Sequence, residues 1–330
     1  MKKITILITI FFWAQLLFAQ SDSISFKNIK VCQIQIQKGV LLKTMVFKDK
    51  NLFASNQNIS IIEVTKANLF KFQIAFNKKI LKTTSNFALE NNAIAAINGN
   101  FFDTKNGGAV DFLKINGLVI NQKQLTNGFR NFHQKAAISI NQGEISIVKY
   151  NHFDNWERNI DIKNIMVSGP HLLIFNNNLE FIDESPFNKN RHPRSVLAIT
   201  KANHVLMITV DGRHSNVSGM SLFEVQKILK WLHVKHATNL DGGGSTALFV
   251  TGKLPNGIVN YPSDNKTWDH FGERKVANII YLIKKKSLGT LGLQLDCAHY
   301  KLLCRTALVT IFVSTPQTRL CFAPLLLYLA

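Results

Sequence analysis

Cysteine is scarce in this chain of 330 residues, which holds only four. Cys32 alone falls in the part with the pattern of a folded domain, and one cysteine forms no disulfide within that domain. Cys297, Cys304 and Cys321 lie near the end, and no pair has the C-x-x-C spacing of a structural zinc site. A hydrophobic core must therefore hold the domain together, and 46% hydrophobic residues are enough to build one.

Acidic residues are also few, 20 against 39 lysines and arginines, and the formal net charge is +19. Such a charge attracts anionic partners, including phosphate-bearing substrates. The lysines are scattered and no strand alternates aromatic residues with arginines, so we predict no nucleic-acid partner. The glycine-rich segment lacks the Walker lysine, which disfavours nucleotide hydrolysis. None of the ten histidines fits H-E-x-x-H or a similar ligand pattern, so we predict no cofactor, with a divalent cation left open.

The two ends differ from the middle of the chain. Two lysines precede a mostly apolar run over residues 4–18, with the small Ala19 after it, which is the pattern of a secretory signal peptide. The run is shorter than the ~20 residues that span a bilayer. We therefore predict a signal peptide at residues 1–20, a periplasmic or secreted protein, and no stable membrane span after cleavage; a retained anchor is the alternative. Residues 287–330 are leucine-rich without asparagine, and we predict a tail of uncertain origin with no assigned function.

Residues 21–286 carry the pattern of one domain. Short apolar or alternating runs recur in the first half, among them Ala136–Ile140 and Glu144–Val148, which Gln142-Gly143 separates at the distance of a hairpin. A buried strand over Ala93–Ile97 ends in a polar loop, as strands that feed a site often do. We predict an α+β fold, namely a single domain with a twisted mixed β-sheet and flanking helices.

A strand, helix, strand unit occupies the second half. Ser221 and Glu224 form an S-x-x-E capping box, and apolar residues recur at helical spacing over residues 222–232. The strand before this helix stops at Asp211, and the strand after it stops at Asp241. Crossover connections usually join parallel strands. If these two strands are parallel, both aspartates lie at the same edge of the sheet.

Three consecutive glycines follow Asp241. Glycine adopts backbone angles that are closed to other residues and lets a ligand approach the amides, so successive N–H groups are candidates to cradle a phosphate or sugar oxygen. Two hydroxyl side chains come next. A sharp turn is the alternative, but a turn requires neither the acid nor the hydroxyls. We therefore predict that Gly243, Gly244, Ser245 and Thr246 bind substrate.

Arginines and carboxylates lie at strand ends and turns rather than on helix faces. The guanidinium group binds two phosphate oxygens at a time, and the candidates are Arg194, Arg213 and Arg274. Glycosidic chemistry typically uses two carboxylates, and the candidates are Asp103, Asp211, Asp241, Asp264 and Glu273. Each acid either acts on the substrate or only orients an arginine. His214, three residues beyond Asp211, is a secondary candidate.

Eight motifs follow one another in a fixed order. They are NGNFFD (98–103), SGPHLLI (168–174), RHPRS (191–195), VDGR (210–213), GMSLFE (219–224), NLDGGGST (239–246), NYPSD (260–264) and GERKVAN (272–278). Together they resemble the phosphodiester glycosidase family, which includes the lysosomal "uncovering enzyme" and many exported bacterial proteins. The resemblance covers roughly residues 93–281.

This resemblance implies a hydrolase that cleaves an α-linked sugar-1-phosphodiester and releases a free sugar, such as N-acetylglucosamine, from a phosphorylated carbohydrate. The expected catalytic residues are Asp211, Asp241 and Glu273. The expected substrate-binding residues are Asn98, Asn100, Asp103, Arg194, Arg213, Gly243, Gly244, Ser245, Thr246 and Arg274. The chain departs from the family in two places: Asn100 stands where NGGFF is usual, and Ser195 replaces a threonine.

Two other functions remain open from the sequence. One is a non-catalytic module that binds phosphorylated surface polysaccharide through the same loops, and turnover distinguishes it from an enzyme. The other is a phosphodiesterase that cleaves at phosphorus instead of carbon. The sequence does not choose between these bonds.

Overall fold

The structure is a computed structural model, and it describes residues 22–122, 130, 134–153, 156–169 and 171–285. The predicted signal peptide and tail lie outside these residues. In the described part, no helix is both long and apolar enough to cross a membrane. The helices are α1 (22–28), α2 (Thr84–Glu90), α3 (Trp156–Asn159), α4 (Pro186–Lys189) and α5 (Leu222–Trp231).

Most of the domain is β-structure. The strands of its first half are β1 (Cys32–Gln37), β2 (Val40–Leu52), β3 (Ser55–Val64), β4 (Phe70–Phe76), β5 (Ala95–Asn98), β6 (Leu113–Ile115), β7 (Leu118–Asn121), β8 (Ala136–Asn141) and β9 (Glu144–Lys149). Those of the second half are β10 (Asn164–Val167), β11 (Leu172–Phe175), β12 (Asn178–Leu179), β13 (Arg194–Thr200), β14 (Val205–Val210), β15 (Val234–Asn239), β16 (Leu248–Val250) and β17 (Asn278–Lys284).

These strands form three sheets, of order β1-β2-β3-β14-β13-β15-β11-β12, β7-β6-β10-β8-β9 and β16-β5-β17-β4. The predicted α+β class and single domain are confirmed. The number of sheets differs from the single mixed sheet expected, and the pairs between described strands are antiparallel. Alternation of apolar residues identifies strands but does not specify their partners, which explains the difference. The predicted hairpin is confirmed as β8 and β9, which pair from Ala136–Lys149 to Asn141–Glu144.

The central strands of the eight-stranded sheet carry near-continuous apolar runs, and a hydrophobic core packs against each face of the sheet. Along β14, Val205 and Met207 belong to a core shared with the two smaller sheets. Leu206, Ile208 and Val210 point to the other face, where they meet the apolar side of α5. Each fully buried side chain of this size contributes about 1.5–3 kcal/mol. The central strands are thereby fixed, and so are the loops that leave their ends.

The capping box of α5 is present as predicted. The Ser221 hydroxyl accepts from the Glu224 amide (3.2 Å), and the Glu224 carboxylate accepts from the Ser221 amide (2.9 Å). Such a cap is worth about 1 kcal/mol. The helix therefore begins at a defined residue and fixes the crossover between β14 and β15.

The two strands joined by α5 run in the same direction, as the sequence predicts, with one strand between them. β13 lies between β14 and β15 and is antiparallel to both. Asp211 follows the last residue of β14, Asp241 lies two residues beyond β15, and Arg194 is the first residue of β13. All three residues consequently lie at one edge of the sheet.

Candidate active site

The backbone of Asp241 is hydrogen-bonded through both its amide and its carbonyl. Its amide donates to the Gly99 carbonyl (3.0 Å), and its carbonyl accepts from the Asn98 side chain (2.6 Å). On another side, a β-carbon at Gly169 would come within 2.8 Å of the Asp241 nitrogen, so only glycine permits this packing. The carboxylate itself accepts from the Gly242 amide (2.9 Å). Three loops thus fix the position of one carboxyl group.

Burial raises the pKa of Asp241 to about 6. The Ser245 hydroxyl, the Gly242 amide and the charges of Arg274 and Arg213 oppose this effect, since they stabilise the carboxylate. The residue is nonetheless partly exposed. Asp241 is therefore an acid that a ligand can reach and that titrates near neutral pH, as catalytic carboxyl groups often do.

The glycines after Asp241 let two arginines approach the loop. Gly243 has φ +61°, and a β-carbon there would lie 2.8 Å from Nη1 of Arg213. A β-carbon at Gly244 would lie 2.6 Å from Nη2 of Arg274. Any larger residue would push the guanidinium groups away. The loop therefore brings one carboxyl and two positive charges together, as the sequence predicts for a phosphate site.

The amides of this loop are less available than a phosphate cradle would require. Residues Gly243–Ser245 form a 3-10 turn, and four amides of the segment 242–246 already have acceptors within the protein. Their acceptors are the Asp241 carboxylate for Gly242, Pro193 O for Gly243 (2.9 Å), Gly242 O for Ser245 (3.2 Å) and Gly243 O for Thr246 (3.2 Å). Ser245 and Thr246 are buried at 0% and 1% exposure. The arginines, rather than the amides, are thus the accessible anion-binding groups.

Arg274 pairs with Asp264, one of the candidate carboxylates from the sequence, which here orients an arginine. Its Nη2 and Nε donate to Asp264 Oδ1 at 2.6 and 3.0 Å, and both side chains are more than a third exposed. Exposed ion pairs of this kind add little stability. The pair orients Arg274 over the glycine loop and leaves it reachable by substrate.

Arg213 is exposed and has an unusual φ of +59°. Its Nη2 lies 3.5 Å from Nδ1 of His192. Burial, together with the charges of Arg194 and Arg213, lowers the pKa of His192. This histidine is therefore neutral near pH 7 and can accept from Arg213, which keeps the guanidinium beside Gly243.

Asp211 lies on the same edge but has a different environment. It is 1% exposed, and its carboxylate accepts from Asn58 Nδ2 (2.7 Å), Asn260 Nδ2 (3.0 Å) and the Tyr261 amide (3.0 Å). Burial raises its pKa to about 7, against the effect of these three donors. This carboxyl is enclosed by protein and does not face open solvent. Its hydrogen bonds hold residues 260 and 261 in place.

Asn260 connects Asp211 to the glycine loop. Besides Asp211, its Nδ2 group donates to the Thr246 carbonyl (3.2 Å), and its Oδ1 accepts from the Leu248 amide (2.7 Å). The NYPSD motif marks this segment in the sequence, although nothing there indicates that Asn260 contacts Asp211. No sequence signal points to Asn58, whose bond spans 153 positions.

Arg194 is buried at 0% exposure and binds main-chain carbonyls. Its Nε donates to Met220 O (2.8 Å), and its Nη2 donates to Phe187 O (2.7 Å) and Asn190 O (3.0 Å). Burial, then the charge of Arg213, lowers its pKa to about 10, so it stays charged. Arg194 therefore connects residues 187–190 and residue 220 to β13. The sequence led us to expect a contact with phosphate, but these guanidinium bonds are to main-chain carbonyls inside the fold.

Two of the predicted acids bind protein groups instead of facing Asp241. Glu273 accepts from the amide (2.9 Å) and hydroxyl (2.5 Å) of Ser85 and so secures the start of α2; burial raises its pKa. Asp103 accepts from the amides of Asn106 (3.0 Å) and Lys105 (2.8 Å), which lower its pKa. Both contacts are local or structural.

The predicted asparagines are also buried. Asn98 accepts from the Ser195 hydroxyl (2.6 Å) while its amide holds Asp241. The Asn100 side chain donates to Val167 O (3.0 Å) and accepts from Asn278 Nδ2 (2.7 Å). Asn100 thus joins its loop to β17 and the end of β10, so the extra side chain at this family position packs inward. Ser195, at the other departure from the family, donates to Asn98 and so supports the residue that holds Asp241.

The family model for phosphodiester glycosidases matches residues 91–283. That match spans more than half of the chain and contains the arginines, the acids and the glycine loop described above. The chain belongs to the phosphodiester glycosidase family. This family consists of glycosidase-type hydrolases that act on phosphodiesters.

Solved structures agree with this family at the level of the fold. One is the catalytic domain of zebrafish N-acetylglucosamine-1-phosphodiester alpha-N-acetylglucosaminidase, auto-inhibited by its pro-peptide, with TM-score 0.55, 19% identity, and coverage of 78% of this chain and 83% of that one. Another is a hypothetical protein from Synechocystis, with TM-score 0.54, 14% identity and 78% coverage of this chain. Our chain spans 64% of the Synechocystis protein. Comparison with curated proteins found no match.

For a phosphodiester glycosidase, the arrangement around Asp241 is chemically coherent. The described residues include no group of three or more histidines, cysteines and acids placed to hold a metal ion. They do include the partly exposed carboxyl of Asp241, and the guanidinium groups of Arg274 and Arg213 interact with it electrostatically. Such a set can bind a phosphodiester anion and supply one carboxylate to the reacting carbon.

Proposed function

We propose that this protein hydrolyses a sugar-1-phosphodiester at the bond between the anomeric carbon and oxygen. The products are a free sugar, such as N-acetylglucosamine, and a phosphate monoester. One observation carries the proposal: Asp241 is partly exposed and interacts electrostatically with Arg213 and Arg274, which approach the glycines that follow it. Family membership supports the same chemistry.

The arginines bind the phosphate before and during cleavage. The group that departs is the phosphate monoester, a good leaving group, so its departure depends more on stabilising its negative charge than on protonating it. Arg213, beside Gly243, and Arg274, beside Gly244, supply that stabilisation. The Asp264 partner keeps Arg274 oriented while the phosphate binds.

Asp241 acts on the sugar side of the bond. As the anomeric carbon gains positive charge, a carboxylate close to it either attacks it or activates a water molecule. Both roles require the ionised form. Because the pKa of Asp241 is raised to about 6, this form predominates only above that pH. Asp211, enclosed by its three donors, is a positioning residue in this mechanism.

Purified wild-type protein should release sugar from an α-sugar-1-phosphodiester. Asp241→Asn should lower kcat by about 10²–10⁴-fold, the contribution typical of a positioned acid or base. The matched control is Asp161→Asn, the same change at an exposed position, which should retain activity. Wild-type protein that binds phosphorylated polysaccharide without turnover would contradict the proposal, as would a folded and fully active Asp241→Asn variant.

We also propose that the protein acts outside the cytoplasm. The support is the signal-peptide pattern of residues 1–20, which lie outside the described residues. Fractionation of expressing cells should find the protein in the periplasm or medium with an amino terminus near Gln20 or Ser21. Recovery of full-length protein from the cytoplasm alone would contradict this proposal.

A further inference from the structure

A cavity of about 520 Å³ adjoins the catalytic edge of the sheet. Its walls come from the hairpin of β2 and β3, from residues 215–217 and from the segment after β16. Two of its residues, Asn58 and Tyr261, also donate to the Asp211 carboxylate (2.7 and 3.0 Å). The volume lies within the range of small-molecule sites, about 300–1,000 Å³. The cavity and the Asp211 network therefore share a wall.

One wall of the cavity is aromatic. The rings of Tyr261 and Trp268 both line it, and they stack in parallel, with centroids 4.1 Å apart and an interplanar angle of 2°. His214 stacks on Trp268 (5.2 Å), and His270 packs against Tyr261 (4.3 Å). Aromatic side chains provide a large apolar area at a fixed position. The stacked cluster therefore gives the cavity an apolar wall, against which the C–H groups of a ligand can pack.

Amide side chains also line this space. Asn58 lines the cavity and is 2% exposed. Its Nδ2 donates to Asp211, which fixes the orientation of the amide, and its Oδ1 has no hydrogen-bond partner. The Asn56 and Asn216 amides line the same cavity and are more exposed, so they can exchange hydrogen bonds with the hydroxyl groups of a ligand.

The charge of the lining indicates a neutral ligand. Lys48 and Asp49 carry the two formal charges among the lining residues, and these charges are opposite. The glycine loop has a positive environment instead, since the guanidinium groups of Arg213 and Arg274 lie close to Gly243 and Gly244. Aromatic rings, amides and balanced charge favour a polyhydroxylated neutral group, whereas the arginines favour the phosphate.

We propose that this cavity is a subsite for a neutral sugar ring joined to the phosphodiester that is cleaved at Asp241. The inference rests on the proposed function. Arg213, Tyr261 and Trp268 also line one small recess, so the aromatic wall continues to an arginine of the phosphate site. The substrate is then a diester in which a sugar occupies the cavity while the phosphate contacts the arginines.

Two variants test the cavity in opposite ways. Trp268→Ala removes part of the aromatic wall, and Ser215→Phe fills the space from an exposed lining position without removing a side-chain contact. Phe153→Ala is the matched control, because Phe153 is 68% exposed and does not line the cavity. Circular dichroism and urea unfolding should first show that all three variants fold.

Kinetics with two substrates identify which sugar the cavity holds. One substrate is the methyl ester of N-acetylglucosamine-1-phosphate, and the other joins the same phosphate to O6 of methyl mannoside. Trp268→Ala should raise KM about three- to tenfold through loss of an aromatic contact, and Ser215→Phe should raise KM at least as much because its ring excludes the sugar; kcat should change little in both. An increase on both substrates places the released sugar in the cavity, and an increase on the second alone places the other sugar there. Unchanged KM on both overturns the proposal.

Direct binding keeps this test separate from the proposed function. If the wild-type protein hydrolyses neither diester, saturation-transfer NMR with free N-acetylglucosamine and methyl mannoside still probes the cavity. Transfer to at least one sugar, lost in Ser215→Phe and retained in Phe153→Ala, supports the subsite. The absence of transfer in wild-type protein, or full transfer in Ser215→Phe, overturns it.

Discussion

Replacing Asp211 with asparagine should change how the stability of this protein depends on pH. Burial raises the pKa of this carboxyl from 3.8 to about 7. Between these values the folded protein retains a proton that the unfolded chain has lost. Stability from the protonated carboxyl is therefore fully present below about pH 4 and is lost as pH rises to about 7. Asparagine is neutral throughout and removes this dependence.

The magnitude follows from the two pKa values. Each pKa unit corresponds to 1.36 kcal/mol, so the change from 3.8 to about 7 corresponds to about 4 kcal/mol. The asparagine variant carries a constant cost as well, because its NH₂ group meets one of the donors from Asn58, Asn260 and Tyr261. That cost does not vary with pH and leaves the slope as the diagnostic quantity.

Urea unfolding at intervals from pH 4 to pH 8 measures the effect. The free energy of unfolding of wild type minus that of Asp211→Asn should fall by up to about 4 kcal/mol over this range. Asp241 and Glu273 also have raised pKa values, but they are present in both proteins and cancel in the difference. Asp161→Asn, at an exposed position, should give a flat difference. A flat or rising difference for Asp211→Asn would refute the reasoning.

The loop around Asp241 yields three further expectations. Arg274 lowers the pKa of Asp241, so Arg274→Ala should move the acidic limb of the pH–rate profile upward from about pH 6, and an unmoved limb would contradict this. Gly243→Ala puts a methyl group 2.8 Å from Arg213 Nη1 on a residue with φ +61°. We expect urea unfolding to show a loss of about 1–2 kcal/mol and kcat/KM to fall at least about tenfold, and wild-type values of both would contradict this. Asn98→Ala removes partners of three groups and should cost about 2–3 kcal/mol in urea unfolding; a cost below ~1 kcal/mol would count against its role.

The crossover through α5 is the part of the site that sequence predicts most fully. Its capping box and helical periodicity are local signals, and handedness and chain connectivity then restrict the two strands to one direction. That is why Asp211 and Asp241 were expected at the same edge. The triple glycine likewise indicated close approach, and the structure identifies Arg213 and Arg274 as the groups that approach.

Other features depend on contacts between distant segments, which no local pattern encodes. Arg194 has the sequence context of a phosphate-binding arginine, yet it donates to three carbonyls inside the fold. Glu273 stands next to Arg274, but its partner is Ser85, 188 positions away. Asn58 gives no signal at all. Such pairings are chosen by the packing of the sheets, so only the folded chain reveals them.

Hydrolysis of the N-acetylglucosamine-1-phosphate methyl ester in ¹⁸O-labelled water tests the central claim most directly. Attack at the anomeric carbon, assisted by Asp241, predicts that the label enters the released sugar and that Asp241→Asn releases almost none. The methyl phosphate product should carry no label. Label in the phosphate would mean cleavage at phosphorus, and it would contradict the role assigned here to Asp241.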